Sequence, residues 1–289
     1  MSVSKERIDV LLVEQGYFDS REKAKAAIMA GLVFGGQERI EKAGTKVPRD
    51  ISLTVKGAIH PYVSRGGLKL AKAIKQFHID MKDRVMLDIG SSTGGFTDCA
   101  LQHGASYVYA IDVGYNQLDW SLRNDERVNV KERTNFRYMT PNDLDGPRPD
   151  FASIDVSFIS LKIILPPLIE LLQRPADIAV LIKPQFEAGR EKVGKSGVVR
   201  DSKVHLEVLE TVLGFATEIG YTLRGLTFSP ITGGEGNIEF LAHLGLVPFE
   251  ETDPLSVQGK AAASMVEIQK LARQVVDEAS NTFHANPSK

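Results

Sequence analysis

Two polar residues close neighbouring apolar segments. Asp155 ends DFASID and Lys183 ends DIAVLIK. If both segments are parallel strands of one sheet, their carboxyl ends open on a shared crevice, where such sheets bind ligands. Burial penalises a lysine's ammonium, so a lysine at the end of a buried strand can accept a proton, and a neighbouring carboxylate can orient it. Each residue also has an ordinary reading, Lys183 as a strand-end lysine reaching solvent and Asp155 as a helix N-cap. Glu239, in NIEF, and Lys69, in LKLAKAIKQF, bring a second carboxylate and a second amine. Spacing alone does not separate Lys69 from Lys72 and Lys75, which follow it near one helix face.

A glycine-rich turn supplies the other half of the chemistry. Asp88-Ile89-Gly90-Ser91-Ser92-Thr93-Gly94-Gly95-Phe96-Thr97 follows RVML, a strand, and opens a helix. Glycines there let backbone approach a ligand that a β-carbon would block. Asp112 ends the next strand, where a carboxylate can accept the ribose hydroxyls of an adenosine. The glycines at 90, 94 and 95 do not match G-x-G-x-x-G. Adjacent glycines four residues after the first suit a methionine-bearing adenosine better than a pyrophosphate, although NAD and a ligand-free turn remain alternatives. The expected ligand is S-adenosylmethionine, with Asp88, Gly90, Ser91, Ser92, Thr93, Gly94, Gly95, Phe96, Thr97, Asp112 and Asp155 as its contacts.

For the methyl acceptor, three chemistries compete. A pyrimidine carbon usually needs a cysteine nucleophile. Cys99 is the single cysteine, and it falls inside the helix after the turn, where packing is the simpler role. An exocyclic amine is usually gripped by an Asn/Asp-Pro-Pro-Tyr segment, whereas the corresponding stretch reads Ile154-Asp155-Val156-Ser157-Phe158. A sugar hydroxyl remains, and it needs a base such as Lys183.

Strands and helices must position these groups. RVMLDIG, SYVYAIDVG, RVNVKE, DFASIDVS and DIAVLIKP read as strands, with FTDCALQHG, LKIILPPLIELL and KVHLEVLETVLGFATEIG as helices between them. Such alternation predicts a mostly parallel sheet covered on both faces. YTLRGLTFSP and NIEFLAHL predict a closing antiparallel pair, the usual end of class I methyltransferase sheets rather than of dehydrogenases. The expected organisation is a small α+β domain over 4–57, a linker and basic helix over 58–82, the α/β body over 83–248 and a helical tail over 249–289 that reads as peripheral.

Charge divides the same way. Residues 1–82 hold 15 Lys and Arg against 9 Asp and Glu, and the remainder 20 against 28. A basic N-terminal third on an acidic body fits a nucleic-acid-binding appendage. One cysteine excludes a disulfide framework and a thiolate metal site within the chain, and no metal is expected. The polar start MSVSKERIDV has no signal character and no apolar run reaches ~18 residues, so the expectation is a cytoplasmic protein off the membrane.

Segments YVSRGGLKL, DIGSSTGGFTD, IDVSFISL, LIKPQFEAGRE and GNIEF together resemble the TlyA family, called hemolysins but acting as ribosomal RNA 2′-O-methyltransferases. The resemblance implies an α/β class I (Rossmann-like) S-adenosylmethionine-dependent methyltransferase, similar to FtsJ-like enzymes, behind a small N-terminal α+β RNA-binding domain. RIDVLLVEQGYFDSREKAKAAIMAGLVFGG resembles the RNA-binding domain of ribosomal small-subunit protein S4. That likeness implies Arg7, Arg21, Lys23 and Lys25 as RNA contacts, and Arg65 and Lys72 are added from the segment before the sheet. The FtsJ likeness implies a catalytic Lys69, Asp155, Lys183 and Glu239, with Lys183 activating a ribose 2′-hydroxyl and the carboxylates orienting the lysines. The implied partner is ribosomal RNA or a ribosomal subunit, with cytidine as the target. A membrane-active hemolysin, or an RNA-binding protein with an inactive methyltransferase fold, are the alternatives.

Overall fold

The protein is described by a computed structural model covering residues 4–18, 20–29, 31–36, 38–55, 60–248 and 254–284, the last segment with side chains over 265–283. The domain boundaries expected at 57–58 and at 249 fall on residues outside this set. The chain forms two compact units, residues 1–61 and 62–289.

The first unit contains β1 (Lys5–Arg7), α1 (Ile8–Glu14), α2 (Arg21–Met29), β2 (Val33–Gly35), β3 (Glu38–Arg39), β4 (Lys46–Pro48) and β5 (Leu53–Val55). Strand β1 pairs antiparallel with β4, and β3-β2-β5 form a second small sheet. In α2, Ala24, Ala27 and Ile28 recur at helical spacing and are buried against Ile8, Leu11 and Leu12 of α1 and Val33.

The second unit opens with α3 (Gly67–Phe77), then β6 (Val85–Ile89), α4 (Gly95–Gln102), β7 (Tyr107–Ile111), α5 (Trp120–Arg123) and β8 (Val128–Lys131). It continues through β9 (Phe151–Ile154), α6 (Leu161–Leu171), β10 (Ala176–Ile182), α7 (Pro184–Glu187) and α8 (Ser202–Glu218), and closes with β11 (Thr222–Phe228), β12 (Phe240–Leu246) and α9 (Pro254–His284). Seven strands form one sheet in the order β11-β12-β10-β9-β6-β7-β8. Strands β6 to β10 run parallel, while β12 lies antiparallel to both β10 and β11. This is the α/β class I methyltransferase arrangement expected from the strand pattern, including the closing antiparallel pair.

Side chains alternate along the strands and load both faces. Leu87, Ile89, Ile154, Val180 and Ile182 pack toward α6 and α8, while Met86, Phe151, Ala179 and Leu181 pack toward α3 and α4. Helix α6 persists through Pro166 and Pro167. Each interior proline costs ~3 kcal/mol, but five buried residues (Leu161, Ile164, Leu165, Leu168 and Leu171) contribute about 1.5–3 kcal/mol apiece.

One expectation is corrected. The tail is not peripheral: Ile268, Ala272, Val275, Val276 and Ala279 of α9 are buried in the core shared with α8 and the sheet. They recur at i, i+4, i+7, i+8 and i+11, one stripe of the helix, which the partly buried Leu271 and Phe283 extend.

The site is placed by the order of the strands. The chain runs outward from β6 through β7 and β8, then returns to the other side of β6 with β9. The crevice beyond the carboxyl ends of β6 and β9 is therefore the topological switch point, where open α/β sheets bind ligands.

Candidate active site

A cavity of about 610 Å³ lies at this switch point. Gly90, Ser91, Ser92, Gly95 and Phe96 of the turn line it, as do Lys69, Asp155, Lys183 and Glu239. All four implied catalytic residues thus face one space, although 170 residues separate the outermost two.

They are grouped as two ion pairs. Lys183 follows the last residue of β10, and its Nζ lies 2.5 Å from Asp155 Oδ1, which follows β9. The same Nζ donates to Ser157 Oγ at 3.0 Å. Asp155 does not cap a helix; that role at α6 belongs to Ser160. Lys69, in the first turn of α3, places Nζ 2.6 Å from Glu239 Oε2. This second pair is deeply buried, with Lys69 8% and Glu239 2% exposed. Glu239 stands just before β12 rather than within it, and its carbonyl accepts from Ser229 N at 2.8 Å.

The turn is shaped by tight backbone approach. Gly90 has φ +86°, and a β-carbon there would meet the Asp155 carbonyl oxygen at 2.3 Å. At Gly95 a β-carbon would meet Ser64 Oγ at 2.3 Å and Gly67 N at 2.8 Å, so only glycine lets the start of α3, with Lys69, sit against the start of α4.

Not every residue of the turn faces the cavity. Asp88 is fully buried beneath it, accepting from the Thr97 and Ser153 hydroxyls at 2.7 Å each. Burial pushes its carboxyl up to about 6, with the two hydroxyls opposing. Asp88 and Thr97 therefore brace the turn, while Thr93 is exposed and its carbonyl accepts from Asp119 N. Gly94, with φ +97°, lies against Leu118 and Leu122. Asp112 lies outside the cavity lining and accepts from Ser92 N at 2.8 Å and Gly114 N at 2.7 Å. Each of its oxygens keeps a second lone pair.

Cys99 is buried, and burial pushes its thiol up to about 12, which rules it out as a ready nucleophile. The cavity also exposes residues the sequence did not single out. Ser64, Ser157, Phe158, Phe186 and Asn237 line it. Phe158 is 90% exposed, and its ring lies 4.8 Å from that of Phe186. Ser157 and Asn237 each stand two residues from an implied catalytic carboxylate, which is the only signal the sequence held for them.

The implied RNA contacts are dispersed. Arg7 and Arg21 are half exposed but both bind the fully buried Asp9, at 2.9 and 2.8 Å. Those guanidiniums hold the Asp9 carboxyl well below the usual range. Lys23 and Lys25 are exposed on α2. Arg65 is exposed at the rim of the cavity. Lys72 is turned onto the Phe228 ring, with Nζ 3.7 Å from its centroid, so Lys69, Lys72 and Lys75 do not form one outward basic stripe. Among the described residues no helix is long and apolar enough to cross a membrane, and no cluster of His, Cys, Asp and Glu is arranged to hold a metal ion.

Comparison with known proteins gives a consistent picture. The sequence profile of FtsJ-like methyltransferases matches residues 62–246, and that of the S4 domain matches residues 6–50. A Bacillus subtilis (strain 168) protein named "Putative rRNA methyltransferase YqxC" is 63% identical over 84% of this chain and 87% of its own length. The Mycobacterium tuberculosis (strain CDC 1551 / Oshkosh) protein named 16S/23S rRNA (cytidine-2′-O)-methyltransferase TlyA is 44% identical over 82% of this chain and 89% of its own. A solved structure titled "Putative hemolysin from Streptococcus thermophilus" superposes with a TM-score of 0.74 at 48% identity, covering all of both chains.

Proposed function

The chain belongs to the FtsJ-like methyltransferase family, and from that premise we propose that it transfers the methyl group of S-adenosylmethionine to a ribose 2′-hydroxyl of ribosomal RNA, with cytidine as the target. The observation that carries the proposal is the pair of lysine–carboxylate contacts, Lys183–Asp155 and Lys69–Glu239, on the same cavity as the glycine-rich turn.

The residues fit the cofactor. A cavity of about 610 Å³ falls within the ~300–1,000 Å³ usual for small-molecule sites. Gly90, Ser91 and Ser92 offer backbone at close range, and Asp112 retains lone pairs for ribose hydroxyls. When bound, S-adenosylmethionine supplies a methyl group activated by a cationic sulfur.

The chain's own residues supply the acceptor side. The Lys183 amine takes the proton from the 2′-hydroxyl, and Asp155 holds that amine in place. Lys69 and Glu239, fixed to each other, position the nucleotide at the second wall of the cavity. General bases of this kind are typically worth ~10²–10⁴-fold in rate, and placing both substrates contributes further. Residues 4–57, with Arg7, Arg21, Lys23 and Lys25, hold ribosomal RNA or a ribosomal subunit, assisted by Arg65, while 83–248, with Lys69 from the preceding helix, carry the chemistry. The protein works in the cytoplasm, where its substrate is.

Transfer of a labelled methyl group to purified ribosomal subunits tests the reading. Lys183→Ala should lower the rate by at least ~10²-fold while calorimetry finds S-adenosylmethionine binding retained. Wild-type activity in this variant would refute the role of Lys183.

A further inference from the structure

We propose that Ser157 is a positioning residue of the transfer: with Asp155, it aims the lone pair of the Lys183 amine into the cavity. The proposal rests on the reading of Lys183 as the base.

As a base Lys183 acts in its neutral form, an amine with one bond to carbon, two N–H bonds and one lone pair, arranged tetrahedrally. Among the described residues, the Lys183 Nζ meets two oxygen acceptors, Asp155 Oδ1 at 2.5 Å and Ser157 Oγ at 3.0 Å. With both N–H groups donated, the lone pair takes the one remaining direction. Asp155 alone would fix one hydrogen and leave the second hydrogen and the lone pair to exchange between the two remaining tetrahedral directions. Ser157 removes this freedom. All three residues line the cavity.

The backbone supports the placement. Strand β9 ends at Ile154, and Asp155 N donates to the Ile89 carbonyl at 2.9 Å, continuing the β6–β9 ladder one residue further. Two residues later the chain presents Ser157, then turns sharply at Phe158, whose φ of 63° is an uncommon conformation for a bulky side chain. Strain of this kind persists where the surrounding structure over-determines it, and it clusters at functional sites. Ser157 is itself exposed, so removing its hydroxyl opens no hole in the core.

The test compares wild type, Ser157→Ala, Ser157→Thr and Lys183→Ala in the full chain, using labelled methyl transfer to purified ribosomal subunits and calorimetry with S-adenosylmethionine. Losing a hydrogen bond of this type should lower kcat by about tenfold to a hundredfold in Ser157→Ala. KM for the subunits and Kd for the cofactor should stay within about twofold, and Ser157→Thr should recover most of the rate, since it restores the hydroxyl. Unchanged kcat in Ser157→Ala, a loss confined to KM, or an equal loss in Ser157→Thr would each overturn the proposal. Wild-type activity in Lys183→Ala would instead overturn the reading beneath it.

Discussion

The Lys69–Glu239 pair allows stability and activity to be separated. Both groups are almost fully withdrawn from water and lie 2.6 Å apart. Truncating Glu239 to Leu leaves the Lys69 ammonium buried without its counter-charge, which costs about 3–5 kcal/mol. Replacing both, as Lys69→Met with Glu239→Leu, removes the uncompensated charge. Exchanges of this kind are near neutral or stabilise by about 1–4 kcal/mol. The double variant should therefore be more stable than Glu239→Leu by at least ~3 kcal/mol. Cys99 offers the assay. It is the one cysteine, fully buried in the core that α3 packs against, so its reaction with a thiol reagent across a urea series reports unfolding of this unit. Methyl transfer should be lost in the single and in the double variant alike. A double variant as unstable as Glu239→Leu would refute the buried-pair reading. A double variant that still methylates ribosomal subunits would refute its catalytic role.

Three further outcomes are expected. Asp88→Asn should change the dependence of stability on pH: the folded carboxyl titrates near 6, above its unfolded value of ~3.9, so its stabilising protonation is complete below the unfolded value and is lost as pH rises through 6. Urea unfolding should show wild type gaining on Asp88→Asn by up to ~3 kcal/mol between pH 7.5 and 3.5, and a constant difference would contradict the assignment. Cys99→Ala should methylate ribosomal subunits within about threefold of wild type, because a thiol pushed up to about 12 is no nucleophile; loss of activity without loss of folded protein would reopen a cysteine mechanism. Lys72→Met should lower stability through the lost contact with Phe228, while the salt dependence of RNA binding stays unchanged; a slope reduced by ~1 would restore Lys72 as a phosphate contact.

The parts of the fold that could be read from sequence are those with long, regular signals. Strands such as 176–182 and helices such as 202–218 announce themselves by continuous apolar runs or helical spacing. The three-residue strands 5–7 and 46–48 carry no such period and exist through pairing with each other. The tail reads as peripheral because its polar positions dominate the composition, while one narrow stripe decides its burial. At the site, Asp155 and Lys183 were legible because a charged residue ending an apolar strand is anomalous. Lys69 was not separable from Lys72 and Lys75 by spacing; only the structure shows one turned to Glu239 and another to Phe228. Arg7 and Arg21 read as unpaired basic groups because sequence spacing does not reveal that each, while half exposed, also binds the buried Asp9. Ser157 is one of many serines until Lys183 is seen 3.0 Å away.

The atom that receives the methyl group defines the reaction, and nucleoside mass spectrometry identifies that atom. Ribosomal subunits incubated with S-adenosylmethionine and the wild-type chain, then digested to nucleosides, should yield 2′-O-methylcytidine, and the Lys183→Ala chain should yield none. A methyl group found on a base, or equal product from both chains, would contradict the account.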